Sequence, residues 1–177
     1  MKSLSDQILS TVREVPDFPK KGINFKDITP ILENPKLCRE IVDEFISRFS
    51  KTKIDAIVGI ESRGFLFGMT LAMRLNIPFI TVRKKGKLPY KTVSYRYELE
   101  YGSAEMEMHV DTVKPGWKVL IHDDLLATGG TAAAAAELVK MQKGKIAGFA
   151  FLVELSFLDG IKKINGYSDK IVALVRY

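Results

Sequence analysis

The chain has a single cysteine, Cys38, so no internal disulfide can form and a reducing, cytoplasmic setting is expected. Long apolar runs are also missing. The opening stretch, MKSLSDQILSTVREV, is broken throughout by polar residues, so no signal peptide and no membrane span are expected. There is no long basic block, although the formal net charge is +6 and the pI is near 9.3. The densest run, Arg83-Lys84-Lys85-Gly86-Lys87, falls in an expected loop beside a strand end, with no helix there to enter a DNA groove. Nucleic acid is therefore not an expected partner, and the positive balance suits a small polyanionic ligand. No Gly-Lys-Ser/Thr closes a Walker loop, and the Gly-x-Gly-x-x-Gly spacing of dinucleotide sites is absent. Without internal repeats or a low-complexity linker, the 177 residues, 46% of them hydrophobic, are expected to form one domain over 1–177.

What is present centres on Val119 to Leu138, VLIHDDLLATGGTAAAAAEL. Val119-Leu120-Ile121 suits a buried parallel strand, with Asp123 and Asp124 where that strand is expected to end. A loop of small residues, Ala127-Thr128-Gly129-Gly130-Thr131, leads to an alanine-rich helix opening at about Ala132. The loop thus lies at a helix N-terminus, where free N–H groups and the dipole favour an anion. Gly129 and Gly130 let the backbone wrap closely, and Thr128 and Thr131 add hydroxyl donors. The two acids would repel a phosphate at close range. A ligand with a phosphate at one end and a sugar diol beside it resolves the conflict, because carboxylates accept hydrogen bonds from hydroxyls.

Around this centre, Leu4, Ile8, Val12 and Val15 recur at helical spacing up to Pro16. An irregular stretch, DFPKKGINFKDITPIL, follows, and Asn34-Pro35 opens a second helix with Leu37, Ile41, Phe45 and Phe49 inward. Strands are expected at Ile54–Ile60 and Ile77–Val82, with a Glu61-Ser62-Arg63-Gly64 turn and a helix from Phe65 to Leu75 between them. Their ends and the central loop should converge on one crevice of an open α/β sheet, to which Arg63 and the Arg83–Lys87 cluster bring positive charge. Lys87 to Glu100 is polar and tyrosine-rich, and returns through Ala104, Met106, Met108 and Val110 with strand alternation. By pattern it is a flexible, partly β-hairpin excursion over about 84–102, either an ordinary surface hairpin or a lid beside the crevice. Further strands are expected at Ile146–Leu155 and Ile171–Val175, with a helical piece at Leu158–Ile164 between them. His122 should point into the sheet or to a polar partner, and His109 should lie on a strand surface.

The DDLLATGGT segment resembles the phosphoribosyl pyrophosphate signature of type I phosphoribosyltransferases. Four more segments resemble the adenine-specific branch of that family: DFPKKGINFKDITPIL, GIESRGFLFG, RKKGKLP with LEYGSAEMEM, and FLVEL. The resemblance runs in order from about Asp17 to about Leu155. It implies an open, mostly parallel sheet flanked by helices, a small N-terminal hood at about 16–34 and a hairpin lid. It implies transfer of a phosphoribosyl group from phosphoribosyl pyrophosphate to adenine, giving AMP and pyrophosphate, in purine salvage. On the same ground, Ala127 to Thr131 would hold the ribose 5-phosphate, and Asp123 and Asp124 the ribose hydroxyls. Arg63, Arg83, Lys84 and Lys87 would face the pyrophosphate. Phe25 would stack on adenine, Leu155 would close its other face, and the backbones of Asn24 and Lys26 would read its edge. Glu100, assisted by Arg63 and Lys84, would carry the acid/base chemistry, with Tyr101 shaping the lid. Mg2+ would travel with the pyrophosphate and ribose rather than bind directly to protein. A homodimer is expected by analogy. Another purine base, or a purine-sensing regulator, are the alternatives; only about sixteen residues precede the hood, too few for a winged helix.

Overall fold

The structure, a computed structural model, describes residues 2–98 and 102–177. It divides into two units, Met1–Ser47 and Arg48–Tyr177. The first begins with α1 (Leu4–Thr11), opened by a capping box in which Ser3 Oγ accepts from the Asp6 N–H and the Asp6 carboxylate accepts from the Ser3 N–H. The helical spacing continues to Val15, but the helix stops at Thr11. Arg13–Val15 (β1) is instead taken into an antiparallel pair with Phe25–Asp27 (β2), which places Val15 opposite Phe25. Backbone pairing with a distant segment has outweighed local periodicity. A short α2 (Thr29–Leu32) follows. Then α3 (Pro35–Arg48) starts as expected, with Asn34 Oδ1 accepting from the Leu37 N–H at 3.1 Å. The thiol of Cys38 donates to the Ile31 carbonyl at 3.3 Å, which settles it as a structural residue.

The second unit is built on a seven-stranded sheet. In chain order its elements are β3 (Ala56–Ile60), α4 (Gly64–Leu75), β4 (Phe79–Lys84), β5 (Thr92–Glu98), β6 (Ser103–His109), β7 (Lys118–Leu126), α5 (Gly130–Met141), β8 (Lys145–Glu154), α6 (Gly160–Ile164) and β9 (Ile171–Arg176). The strands lie in the order β5-β6-β4-β3-β7-β8-β9. From β4 to β9 every pairing is parallel, while β6 pairs antiparallel with both β4 and β5. The tyrosine-rich excursion therefore extends the main sheet along its described length. A 3-10 turn, Ser156–Leu158, and a left-handed Asp159 stand where one continuous helical piece is expected.

The crossover from β3 to β4 steps one way across the sheet, and that from β7 to β8 steps the other. Right-handed connections therefore place α4 and α5 on opposite faces. Alanines 134–136 of α5, with Leu138 and Val139, share a core cluster with Val58, Ile121, Phe149 and Phe151. With no atoms beyond Cβ, these alanines let the helix axis lie close to the strands. On the other face Gly68 of α4 plays that part, since a Cβ there would stand 2.9 Å from the Phe79 ring and 3.4 Å from His122 Cδ2.

His122 lies wholly buried beneath α4. Burial lowers its pKa to about 4, a backbone hydrogen bond with Ala150 only partly opposing. The unfolded chain takes up a proton near pH 6.5 and the folded chain does not, so stability is fully present above that pH and is lost as pH falls toward 4. The loss should reach about 3 kcal/mol, at about 1.36 kcal/mol per pH unit. Denaturant titrations from pH 7 to 4 should show this slope, and His122→Leu should flatten it.

Among the described residues no helix is long and apolar enough to cross a membrane.

Candidate active site

Adjacent parallel strands β4, β3 and β7 bring their carboxyl ends, and the connections that follow them, to one edge of the sheet. The connection after β7 encloses a cavity. The strand does not end at the acids as expected. It runs through Asp123 and Asp124 to Leu126, because Leu125 and Leu126 stay in register with Val153 and Glu154 of β8, and the Leu155 N–H donates to the Leu126 carbonyl at 2.9 Å. The loop is correspondingly short. Gly129 turns the chain in the left-handed region (φ 78°), and α5 begins at Gly130 rather than at Ala132. The first-turn N–H groups border a cavity of ≈ 70 Å³ lined by Asp123 and by Leu125 through Ala132.

The loop is held from outside by close approach to α6. A Cβ on Gly129 would stand 2.5 Å from the Gly160 carbonyl oxygen, and a Cβ on Gly160 would collide with the Ala127 carbonyl. The same approach carries Lys163 along the loop, its Cβ 3.2 Å from the Cβ position of Gly129 and its Nζ 3.9 Å from that of Gly130. From the hairpin, the Tyr97 ring lies 3.2 Å from the Cβ position of Gly130, and its hydroxyl is 3.2 Å from Thr131 Oγ1.

Asp123 lines the cavity, while Asp124 is almost wholly buried. The Asp124 N–H donates to Asp123 Oδ1 at 2.9 Å, and Arg63 Nε stands 3.0 Å from Asp124 Oδ2. Burial, with the charge of Asp124 second, holds Asp123 well above the usual carboxylate range. Burial raises Asp124 too, against the opposing pull of the Arg63 guanidinium. The N-terminus of α4 lies directly on this pair: a Cβ on Gly64 would be 2.8 Å from the His122 carbonyl and 3.0 Å from Asp123 Oδ1. Only glycine fits between helix and strand at that point.

The basic run differs from expectation. Arg83 and Lys84 are the last residues of β4 rather than part of a loop, because they pair with Glu107 and Met106 of β6. Arg83 Nε donates to Glu61 Oε2 at 2.6 Å, and its Nη1 donates to the Lys87 carbonyl at 3.0 Å. The Lys84 and Lys87 side chains are exposed. Glu107, buried, accepts from the N–H groups of Lys87 and Leu88 and from the Thr92 hydroxyl, which fastens the turn after β4. In the first unit, Glu14 accepts from Asn24 Nδ2 at 2.8 Å and from Lys26 Nζ at 2.7 Å. Both side chains are thereby engaged with Glu14. Phe25, beside them on β2, meets Phe18 edge-on with ring centroids 5.2 Å apart.

Comparison with known proteins shows the family to which the chain belongs. Residues 27–171 match the Phosphoribosyl transferase domain family. A protein of Cytophaga hutchinsonii named adenine phosphoribosyltransferase is 51% identical over 174 residues, covering 98% of this chain and 96% of that protein. The chain belongs to the adenine phosphoribosyltransferase family. Its fold agrees: the crystal structure of adenine phosphoribosyltransferase from Thermoanaerobacter pseudethanolicus superposes with a TM-score of 0.94 at 49% identity, covering 99% of this chain and all (100%) of that one. The Saccharomyces cerevisiae enzyme, solved with adenine and an imino-altritol bisphosphate, gives a TM-score of 0.90 at 41% identity, covering 98% of this chain and 99% of that one. The mostly parallel seven-stranded sheet flanked by helices is thus the type I phosphoribosyltransferase fold.

For this member of the adenine phosphoribosyltransferase family, the residues Arg63, Asp123, Asp124 and Ala127 to Thr131 come together, with Arg83, Lys84 and Lys87 on the neighbouring strand and its turn. Leu155 follows β8 directly and is half-buried. Glu100 and Tyr101 lie outside the described residues. Among the described residues no group of three His, Cys, Asp or Glu side chains could hold a metal ion. Sequence reasoning missed Tyr97 and Lys163 at the loop. Tyr97 stood in a noted tyrosine-rich stretch, but nothing local marked Lys163, because its place depends on how α6 docks.

Proposed function

We propose that this chain transfers the phosphoribosyl group of phosphoribosyl pyrophosphate to adenine, releasing pyrophosphate and AMP, in cytoplasmic purine salvage. The observation that carries the reading is the cavity at the start of α5 with the Asp123 carboxylate in its wall and the buried Asp124 next to it in the chain. Ala127 to Thr131 would receive the 5-phosphate on backbone N–H groups and threonine hydroxyls. Asp123 and Asp124 would accept hydrogen bonds from the ribose diol. Arg63, Arg83, Lys84 and Lys87 would stabilise charge on the departing pyrophosphate. A ring nitrogen of adenine attacks the anomeric carbon as the bond to pyrophosphate oxygen breaks, and Glu100 would take the proton the base must lose. Phe25 and Leu155 would sandwich the base, with the Asn24 and Lys26 backbones reading its edge. The engagement of the Asn24 and Lys26 side chains by Glu14 supports that division of labour. Tyr101 would help exclude water from the sugar.

Mg2+ fits this site as a substrate-borne ion. It usually keeps several waters, and Asp123 and Asp124 would hold it through those waters rather than as direct ligands. When bound, it would neutralise charge on the pyrophosphate. A homodimer is also part of the reading. On α4 the side chains of Leu66, Met69 and Met73 are exposed at helical spacing, an apolar stripe that a second copy would cover.

The test is competition among bases. With phosphoribosyl pyrophosphate and Mg2+, labelled adenine should be converted to AMP, and unlabelled hypoxanthine or guanine in tenfold excess should barely slow it. Turnover of guanine or hypoxanthine with none of adenine would refute the adenine assignment.

A further inference from the structure

We propose that Lys163, on α6, is a direct ligand of the phosphate held at the start of α5. The proposal rests on the functional reading above and adds a cation to a subsite otherwise made of neutral groups. The loop itself, Ala127 to Thr131, contains no charged side chain, and the charged side chain in the same wall is that of Asp123, whose carboxylate opposes an anion. Arg63 cannot serve both ends of the ligand while its guanidinium holds Asp124 at 3.0 Å. A dianionic phosphate at this place therefore lacks a counter-charge of its own.

Lys163 is brought there by backbone fit. Gly160, three residues earlier, packs against the Ala127 carbonyl, and Gly129 packs against the Gly160 carbonyl, so the last turn of α6 lies along the loop. That contact sets Lys163 Cβ against Gly129 and leaves Nζ 3.9 Å from the Cβ position of Gly130, the first residue of α5. Its neighbour Lys162 is spent on Asp159 at 2.6 Å. Lys163 is exposed and has no ion-pair partner among the described residues. The side chain stands at the rim of the cavity, outside its wall. Rotation about its four-carbon stem brings the ammonium over an anion bound to the Gly129–Thr131 N–H groups. A charge-assisted hydrogen bond of this kind is stronger than the neutral ones beneath it.

The experiment crosses the protein with the ligand. Calorimetry on wild type, Lys163→Met and Lys163→Arg should use AMP and adenosine, which differ only in the phosphate. Lys163→Met should weaken AMP about tenfold, leave adenosine within about twofold, and steepen no unfolding transition of the ligand-free protein. Lys163→Arg should restore most of the AMP affinity. If wild type prefers AMP over adenosine and Lys163→Met keeps that preference in full, the proposal is overturned while the phosphate site stands. Equal weakening of both ligands also overturns it, since a disturbed fold would act without regard to the phosphate. If wild type binds adenosine as tightly as AMP, the phosphate site itself is wrong and Lys163 falls with it.

Discussion

Glu100→Ala is expected to lower turnover by about 10² to 10³-fold while leaving the affinity for phosphoribosyl pyrophosphate nearly unchanged. The reasoning is chemical. Adenine gains a bond at one ring nitrogen and must shed a proton in the same event, or the product carries an unstable positive charge. A carboxylate within hydrogen-bond reach takes that proton, and it contributes only as the transition state forms. Removing it should therefore act on kcat and spare ground-state binding. Glu100 sits in the LEYG segment between β5 and β6. Steady-state kinetics for both substrates, with calorimetry of phosphoribosyl pyrophosphate, separate the two effects. Equal losses in kcat and affinity, or none, would remove the acid/base role.

The second large effect is a divergence between stability and binding at the acid pair. Asp123→Asn should raise the midpoint of thermal unfolding at pH 7, and the double change with Asp124→Asn should weaken phosphoribosyl pyrophosphate by about 10²-fold or more. The sign follows from the raised pKa of Asp123. Between the ordinary carboxylate value and that raised value the folded chain binds more protons than the unfolded chain, so stability falls as pH rises through that window. Asparagine has no proton to lose, and its side-chain oxygen can still accept from the Asp124 N–H, so the penalty at neutral pH disappears. Below about pH 4 the unfolded acid is protonated as well, and the stabilities of variant and wild type should converge. Diol binding suffers in the same variant, because an uncharged amide is a weaker acceptor than a carboxylate. Scanning calorimetry from pH 4 to 8 checks the first part, and titration with the ligand checks the second. A variant that lost stability and kept affinity would contradict both. Burial of two acids thus costs the free fold stability at the place proposed to hold the ligand, a compromise that fits a functional site.

Much of this arrangement could be read before folding. The Asp-Asp pair, small loop and alanine helix follow one another in the expected order, and His122 is buried, as one of its two expected placements has it. Asn34 and Pro35 open α3 where their capping chemistry predicts. Errors gathered at element ends and at long-range contacts. Val15 left its helix for β1 because Phe25 supplied a partner ten residues on. Asp123 and Asp124 stayed inside β7 because β8 continues beside them to Glu154. Arg83 and Lys84 were drawn into β4 by β6. In each case the deciding partner is remote in the chain, and no local pattern carries it.

Residue type and spacing alone pointed to the proposed ligand class, since a glycine-rich helix start favours phosphate and neighbouring acids favour hydroxyls by properties those groups carry in any context. Segment matches of the DDLLATGGT kind then named the family. The folded chain alone decided charge and reach: which acid meets Arg63, how far burial lifts Asp123, and that Gly160 docks so closely as to deliver Lys163 to the loop. Those outcomes depend on desolvation and on distances between backbones far apart in sequence, quantities that exist only once the strands have paired and the helices have packed.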